Sequence, residues 1–267
     1  MAYVEITRPR PHVALITLNR PERMNAMSFD VMVPFREAME AVGRDNDTRV
    51  CVITGVDRGF CSGADLEDSG APPNIDGLKL SGISLRAMEY LSDLVPAMRA
   101  MPQPVIAAVN GAAVGGGMCL SLGADIRYAS ESAYFRAAGI NNGLTATELG
   151  VSFLLPRAIG ASRAFEILLT GRDVDAWEAE RIGLVSKVVP DAELLEACYE
   201  TAARIVEFSR VGVQLTKQVL WSGLETASLE AAINHENRSQ LHVRLTTRNF
   251  DEAIRARKEG RKPVFED

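Results

Sequence analysis

An α/β core followed by a helical C-terminal part is the fold class this sequence predicts, and three observations predict it. Short β-rich runs alternate with longer helical patterns over the first half of the chain. Three consecutive glycines, Gly115-Gly-Gly117, stand between an apolar β-type run and the start of a helical pattern. From about Leu144 onward the periodicity is almost wholly helical. Strand and helix in alternation imply largely parallel strands joined by right-handed crossovers.

In chain order, Val13-Ala-Leu-Ile-Thr-Leu18 reads as a strand, Phe29 to Val42 as an amphipathic helix and Val50-Cys-Val-Ile-Thr54 as the next strand. A polar loop rich in Gly, Pro and Ser follows from about Asp57 to Gly82. Loops of that length in compact domains are often lids or binding elements, and this one is read as functional. Then come a helix to about Met101, a strand Pro104 to Val109, and the glycine-rich turn into another helix. Past Leu144 one short β-like run, Leu184 to Val189, interrupts the helices. There are no repeats or low-complexity tracts.

A chain of 267 residues with 47% hydrophobic content can bury a substantial core, which excludes disorder and a short stapled fold. Its formal net charge of -6 is opposed to nucleic-acid binding, so an anionic ligand needs a local basic patch. Cys51, Cys61, Cys119 and Cys198 are scattered without a Cys-x-x-Cys pair, giving neither a zinc site nor a disulfide framework. The N-terminal residues carry charges where a signal peptide needs an apolar stretch, and no apolar run is long enough to span a bilayer. The expectation is a soluble cytoplasmic protein without membrane or nucleic-acid partners.

Two motifs carry the chemistry. Arg58-Gly-Phe-Cys-Ser-Gly-Ala-Asp-Leu66 is a turn of small residues after a strand, where backbone can approach a ligand closely. Ala108-Val-Asn-Gly-Ala-Ala-Val-Gly-Gly-Gly-Met-Cys-Leu120 brings the glycine run to a helix N-terminus, a natural anion site. A dinucleotide fingerprint fails because Leu120 stands where the third glycine belongs, and a P-loop fails because Gly117-Met118 replace its Lys and Ser/Thr. An anion site and mere close packing of helix on sheet remain open.

Together, in this order and at this separation, the two motifs resemble the signature of the enoyl-CoA hydratase/isomerase (crotonase) superfamily. Leu18-Asn-Arg-Pro-Glu-Arg-Met-Asn-Ala26, Leu168-Leu-Thr-Gly-Arg172, Ala179-Glu-Arg-Ile-Gly-Leu-Val185 and the ending Glu259-Gly-Arg-Lys-Pro-Val-Phe265 resemble other segments of that family, so the similarity covers nearly the whole chain. The resemblance implies a crotonase-like spiral of β-β-α units over residues 1–200 and a helical trimerisation region over 201–267, assembled as a homotrimer or a dimer of trimers. It implies an acyl-CoA substrate, no cofactor beyond the coenzyme A of that substrate, and an oxyanion hole made by the backbone N–H groups of Ala64 and Gly116. It also directs attention to Arg23, Ser62, Asp65 and Leu66 as contacts for CoA, with Arg20 and Arg58 as further cations for its phosphates.

Where the family's hydratases carry two glutamates, this chain has Cys119 and Gly139. The nearest remaining carboxylate is Glu148, in Gly143-Leu-Thr-Ala-Thr-Glu-Leu-Gly150, close to a catalytic Asp of the family's dienoyl-CoA isomerases. Two readings stand for Glu148: the acid/base of the reaction, or the N3 partner of a capping box that begins at Thr145. Asp65, Glu67 and Asp68 together read as solvated acids, and no role falls to the Asp65 carboxylate. His12 lies in a turn, and His235 and His242 are two helical turns apart, so no metal is implied.

Overall fold

The computed structural model describes residues 2–266. β1 (Val4–Arg10) and β2 (Val13–Leu18) form an antiparallel hairpin whose turn holds His12 at φ 62°. From β2 the sheet continues in parallel through β3 (Val50–Gly55), β5 (Val105–Val109), β7 (Ile126–Ser130) and β10 (Lys187–Val189). After β3, β5 and β7 the chain steps into a second sheet, as β4 (Gly59–Cys61), β6 (Ala112–Val114) and β8 (Tyr134–Arg136). These three short strands are parallel, and β9 (Val174–Asp175) closes the second sheet antiparallel to β8.

Helices follow each pair of strands: α2 (Leu80–Ser92) and α3 (Leu94–Ala100) after the first, α4 (Gly116–Gly123) after the second, α5 (Val151–Ile159) and α6 (Ala161–Thr170) after the third. The chain thus winds as a spiral of β-β-α units, and the parallel α/β expectation is met.

The central strands β2, β3 and β5 of the larger sheet are almost continuously buried because both faces are covered. Val13, Leu15, Val50, Val52, Ile106 and Ala108 point to one core, closed by Leu194, Ala197, Cys198 and Ala202 of α8 (Leu194–Val206). Their alternates Ala14, Ile16, Leu18, Ile53, Ala107 and Val109 point to the other, with α3, α4 and α1 (Phe29–Arg44). Period-2 alternation therefore divides one strand between two cores rather than between core and water.

The segment read as a loop from Asp57 to Gly82 contains β4, whose three residues are too few for a periodic signal, and its last residues already belong to α2. The single helix expected up to Met101 breaks at Asp93 into α2 and α3. β1, β6, β7 and β8 escaped the sequence reading, since the short strands have no room for alternation and β1 is an exposed edge of charged residues.

Toward the C-terminus, α7 (Ala176–Arg181) and α8 lie against the core, and α8 runs on past residue 200. α9 (Arg210–Gly223) is anchored by Lys217, only 5% exposed. Its ammonium lies 2.9 Å from Asp125 Oδ2 and donates to the carbonyls of Gln103 and Met98. Trp221 Nε1 donates to the other oxygen of Asp125 at 2.6 Å, and Arg99 stacks on the Trp221 ring. α10 (Leu229–Thr246) buries none of its residues, and α11 (Asn249–Glu259) ends the fold, with the buried Glu252 gripping Arg255 and Arg261.

Candidate active site

β4 and β6 are parallel neighbours, so the turns that leave them lie side by side at the C-terminal ends of two strands, the usual place for a ligand in an α/β sheet. Glycine makes this closeness possible. Gly115 has φ +53° and ψ −121°, and a Cβ on Gly63 would stand 2.7 Å from the Val114 carbonyl oxygen. A Cβ on Gly117 would run into the carbonyl oxygen of Cys61. Close packing of α4 on β4 is thus real, and it sets the anion-binding geometry rather than competing with it.

Ala64 and Gly116 each follow one of the two touching glycines, Gly63 and Gly115. Ala64 forms a parallel bridge with Met27, made by Met27 N–H to the Gly63 carbonyl at 2.7 Å and Asp65 N–H to the Met27 carbonyl at 3.1 Å. Such a bridge uses the neighbours of Ala64, so the N–H of Ala64 itself points to the opposite side. Gly116 opens α4, where first-turn N–H groups have no helical acceptor. Among the described residues, neither N–H has a hydrogen-bond acceptor. Two amides hold this arrangement: buried Asn25, from the Leu18–Ala26 segment, donates to the carbonyls of Gly59 and Val56, and Asn110 of the β5–β6 turn bonds the β3–β4 turn. Asn25, Met27 and Asn110 were missed as site-forming residues, because nothing in a sequence marks an amide that braces another segment's turn.

Glu148 comes to the same place from a different element. Its Oε1 would lie 3.1 Å from a Cβ on Gly115, so the carboxylate covers the glycine turn. No side-chain partner for it exists among the described residues. The residue is exposed, yet partial desolvation of its carboxylate raises the pKa. The capping-box alternative is overturned: α5 begins at Val151 behind Gly150, and Thr145 Oγ1 donates to the Thr147 carbonyl, so Glu148 lies outside the helix. Leu149 sits between Glu148 and Gly150 at φ +46°, which for a bulky L-residue costs about 1–2 kcal/mol.

Cys119 is buried, and burial pushes its thiol well above the ordinary value. Its Sγ–H donates to the Glu148 carbonyl at 3.4 Å. Gly139 is closed by backbone, since a Cβ there would collide with the Thr145 carbonyl oxygen. A larger residue at 139 requires the loop to move.

The residues named for a CoA chain divide. Arg20 is buried, lies 2.9 Å from Asp65 Oδ2 and donates to Ser28, so it is not free for a phosphate. Asp65 is correspondingly not solvated. Its carboxylate accepts the N–H groups of Asp68 and Glu67, which hold its pKa below the usual range with help from Arg20, and it ties down the loop. Arg23 is half exposed and paired with Glu67. Ser62 turns inward, its hydroxyl donating to the Arg23 carbonyl at 3.1 Å, whereas Leu66 is 78% exposed beside Ala64 and Asp65. Arg58 is exposed, and its guanidinium has no partner among the described residues. Also among these residues, no cluster of His, Cys, Asp and Glu is arranged to hold a metal, and no helix is long and apolar enough to cross a membrane.

Comparison with known proteins places these features in context. Residues 9–267 match the family model described as enoyl-CoA hydratase/isomerase. A Mycobacterium tuberculosis protein (strain H37Rv) named "Probable enoyl-CoA hydratase EchA12" is 62% identical over 267 residues, all of this chain and 94% of that protein. Among solved structures, a "probable enoyl-CoA hydratase/isomerase" from Mycobacterium abscessus superposes with a TM-score of 0.95 at 59% identity, covering 100% of this chain and 99% of the other. "A monofunctional enoyl CoA isomerase" from M. smegmatis superposes with a TM-score of 0.75 at 56% identity over 87% of this chain and 99% of its own.

Proposed function

This chain belongs to the enoyl-CoA hydratase/isomerase family, and from that premise we propose that it is an acyl-CoA enzyme that shifts the double bond of an enoyl-CoA through a thioester enolate, with Glu148 as its acid and base. The observation that carries this reading is a single unpaired carboxylate over a turn whose neighbouring N–H donors are free.

In the proposed reaction the thioester oxygen sits between the N–H groups of Ala64 and Gly116. Glu148 takes a proton from C2 of a 3-enoyl thioester, and the electron pair flows to the thioester oxygen, giving a dienolate. The two N–H groups stabilise that charge, at roughly 3 kcal/mol for a single donor. Glu148 then returns the proton at C4 as the electrons move back: the C3–C4 double bond is lost and a C2–C3 double bond forms. One carboxylate suffices, because the group that takes the proton from C2 also delivers one to C4, and while the proton rests on Glu148 it exchanges with solvent. Hydration must also hold and ionise a water, and the positions that resemble the hydratase pair are a thiol with a raised pKa and a glycine with no room for a side chain. The name of the 56% identical M. smegmatis isomerase supports the same reading.

Around the acyl-CoA, exposed Leu66 and the Asp65 carbonyl meet the adenosine portion, with Ser62 bracing the loop, and the phosphates lie toward Arg23 and Arg58. The chain works in a reducing cytoplasm, consistent with four unpaired buried cysteines, and assembles as a homotrimer or dimer of trimers through its C-terminal helices. A second reading, hydration with Glu148 activating the water, draws on the name of the M. tuberculosis relative.

The test is mass spectrometry of enoyl-CoA and acyl-CoA thioesters incubated with the protein in deuterated water, beside Glu148→Gln. Deuterium uptake without addition of water, abolished in the variant, is the expected result. Gain of one water favours hydration. A panel left unchanged by the wild type overturns both.

A further inference from the structure

Glu148, Leu149, Gly150 and Val151 form a tight turn closed by Val151 N–H to the Glu148 carbonyl at 2.9 Å. Both central residues have positive φ, +46° at Leu149 and +88° at Gly150, the signature of a type I′ turn. Such turns take Asn, Asp or Gly at the first central position, and leucine is a poor choice on backbone grounds. A strained residue persists where its surroundings over-determine it, and such residues cluster at functional sites.

Two contacts hold this one. A Cδ atom of Leu149 comes within 3.4 Å of the position a Cβ on Gly116 would occupy, so its side chain lies against the turn that offers the Gly116 N–H, where Met27 also packs. The buried Cys119 thiol donates to the Glu148 carbonyl, pinning the turn to α4. α4 thus carries the Gly116 N–H at its start and the anchor for Glu148 one turn later.

We propose that Leu149 is a positioning residue: its side chain, wedged against Gly116, holds the left-handed turn that lays the Glu148 carboxylate over Gly115. The role rests on the reading of Glu148 as the base. It accounts for a leucine where a glycine or asparagine fits the backbone better: either of these makes the turn, and neither fills the space beside Gly116.

The experiment compares wild type, Leu149→Gly, Leu149→Asn and Glu148→Gln with 3-enoyl-CoA thioesters of several chain lengths. It reads deuterium exchange, kcat, KM, the pH profile of kcat and thermal unfolding. Both Leu149 variants are expected to lower kcat about 10- to 100-fold with KM nearly unchanged, the scale of a misplaced catalytic group. The acidic limb of their kcat profile moves to lower pH, because a carboxylate that leaves its place over Gly115 regains water. A merely structural leucine would lower the unfolding temperature and leave that limb in place. If Leu149→Gly does not fold, Leu149→Asn, which tolerates positive φ, carries the reading. Wild-type kcat and pH profile in a folded Leu149 variant, beside an inactive Glu148→Gln, overturn the positioning role alone. Full activity in Glu148→Gln overturns the base assignment and the positioning role together.

Discussion

Desolvation alone raises the pKa of Glu148, and that has opposite consequences for stability and for catalysis. A carboxyl whose folded pKa lies above its unfolded value is easier to bury protonated, so it favours folding at pH below the unfolded pKa. That advantage is lost as pH rises through the folded pKa. Glu148→Gln, neutral at every pH, is therefore expected to unfold at a higher temperature than wild type near neutrality, and the gap should close below about pH 4. In activity the same change should cost at least about 100-fold, and wild-type turnover should fall as the pH drops through the raised pKa. A melting series over pH beside the rate profile checks both. Glu148 was visible in the sequence only as the nearest carboxylate left, and whether it capped a helix depended on where α5 begins. Chain geometry decided that: Gly150 and Leu149 in left-handed conformations place the helix start after the glutamate.

Among the elements, α4 is fixed by contact with backbone. Gly117→Ala drives a methyl into the Cys61 carbonyl oxygen, whereas a methyl at 116 meets first the flexible thioether of Met27. Gly117→Ala should therefore destabilise by about 1–3 kcal/mol and Gly116→Ala by less, read from denaturant midpoints. α9 depends on a buried ion pair instead. Lys217→Ala strands Asp125 with only Trp221 and the Val105 N–H, a loss expected to cost about 3–5 kcal/mol and to loosen α9 first in hydrogen exchange. Neither anchor was legible beforehand. One of three adjacent glycines looks like another, and Lys217 sits in its helix as any surface lysine does; Asp125, Met98 and Gln103 bury it from elsewhere in the chain.

For the whole molecule, the C-terminal helices leave much apolar surface uncovered. None of the residues of α10 is buried, and it exposes Leu229, Ile233, Leu241 and Leu245, beside Leu220 of α9 and Leu224 just past its end. Exposed apolar area on this scale fits the proposed self-association. Sedimentation should give about three or six chains per particle, and the double change Leu241→Glu with Leu245→Glu should release monomers; a wild-type monomer at working concentration would refute the assembly.

The sequence by itself determined the α/β class, the strands Val13–Leu18, Val50–Thr54 and Pro104–Val109 within a residue or so, the two glycine-bearing turns and the family, because these live in local periodicity and in motifs that read along the chain. Tertiary structure decided what those segments meet. It put the turns of β4 and β6 in contact, buried Arg20 and Asp65 against each other, left the N–H groups of Ala64 and Gly116 free, and brought Glu148 onto Gly115. Each of these joins residues far apart in the chain, and their meeting depends on how the sheets stack and the helices cross, which the order of side chains along a strand or helix does not encode locally.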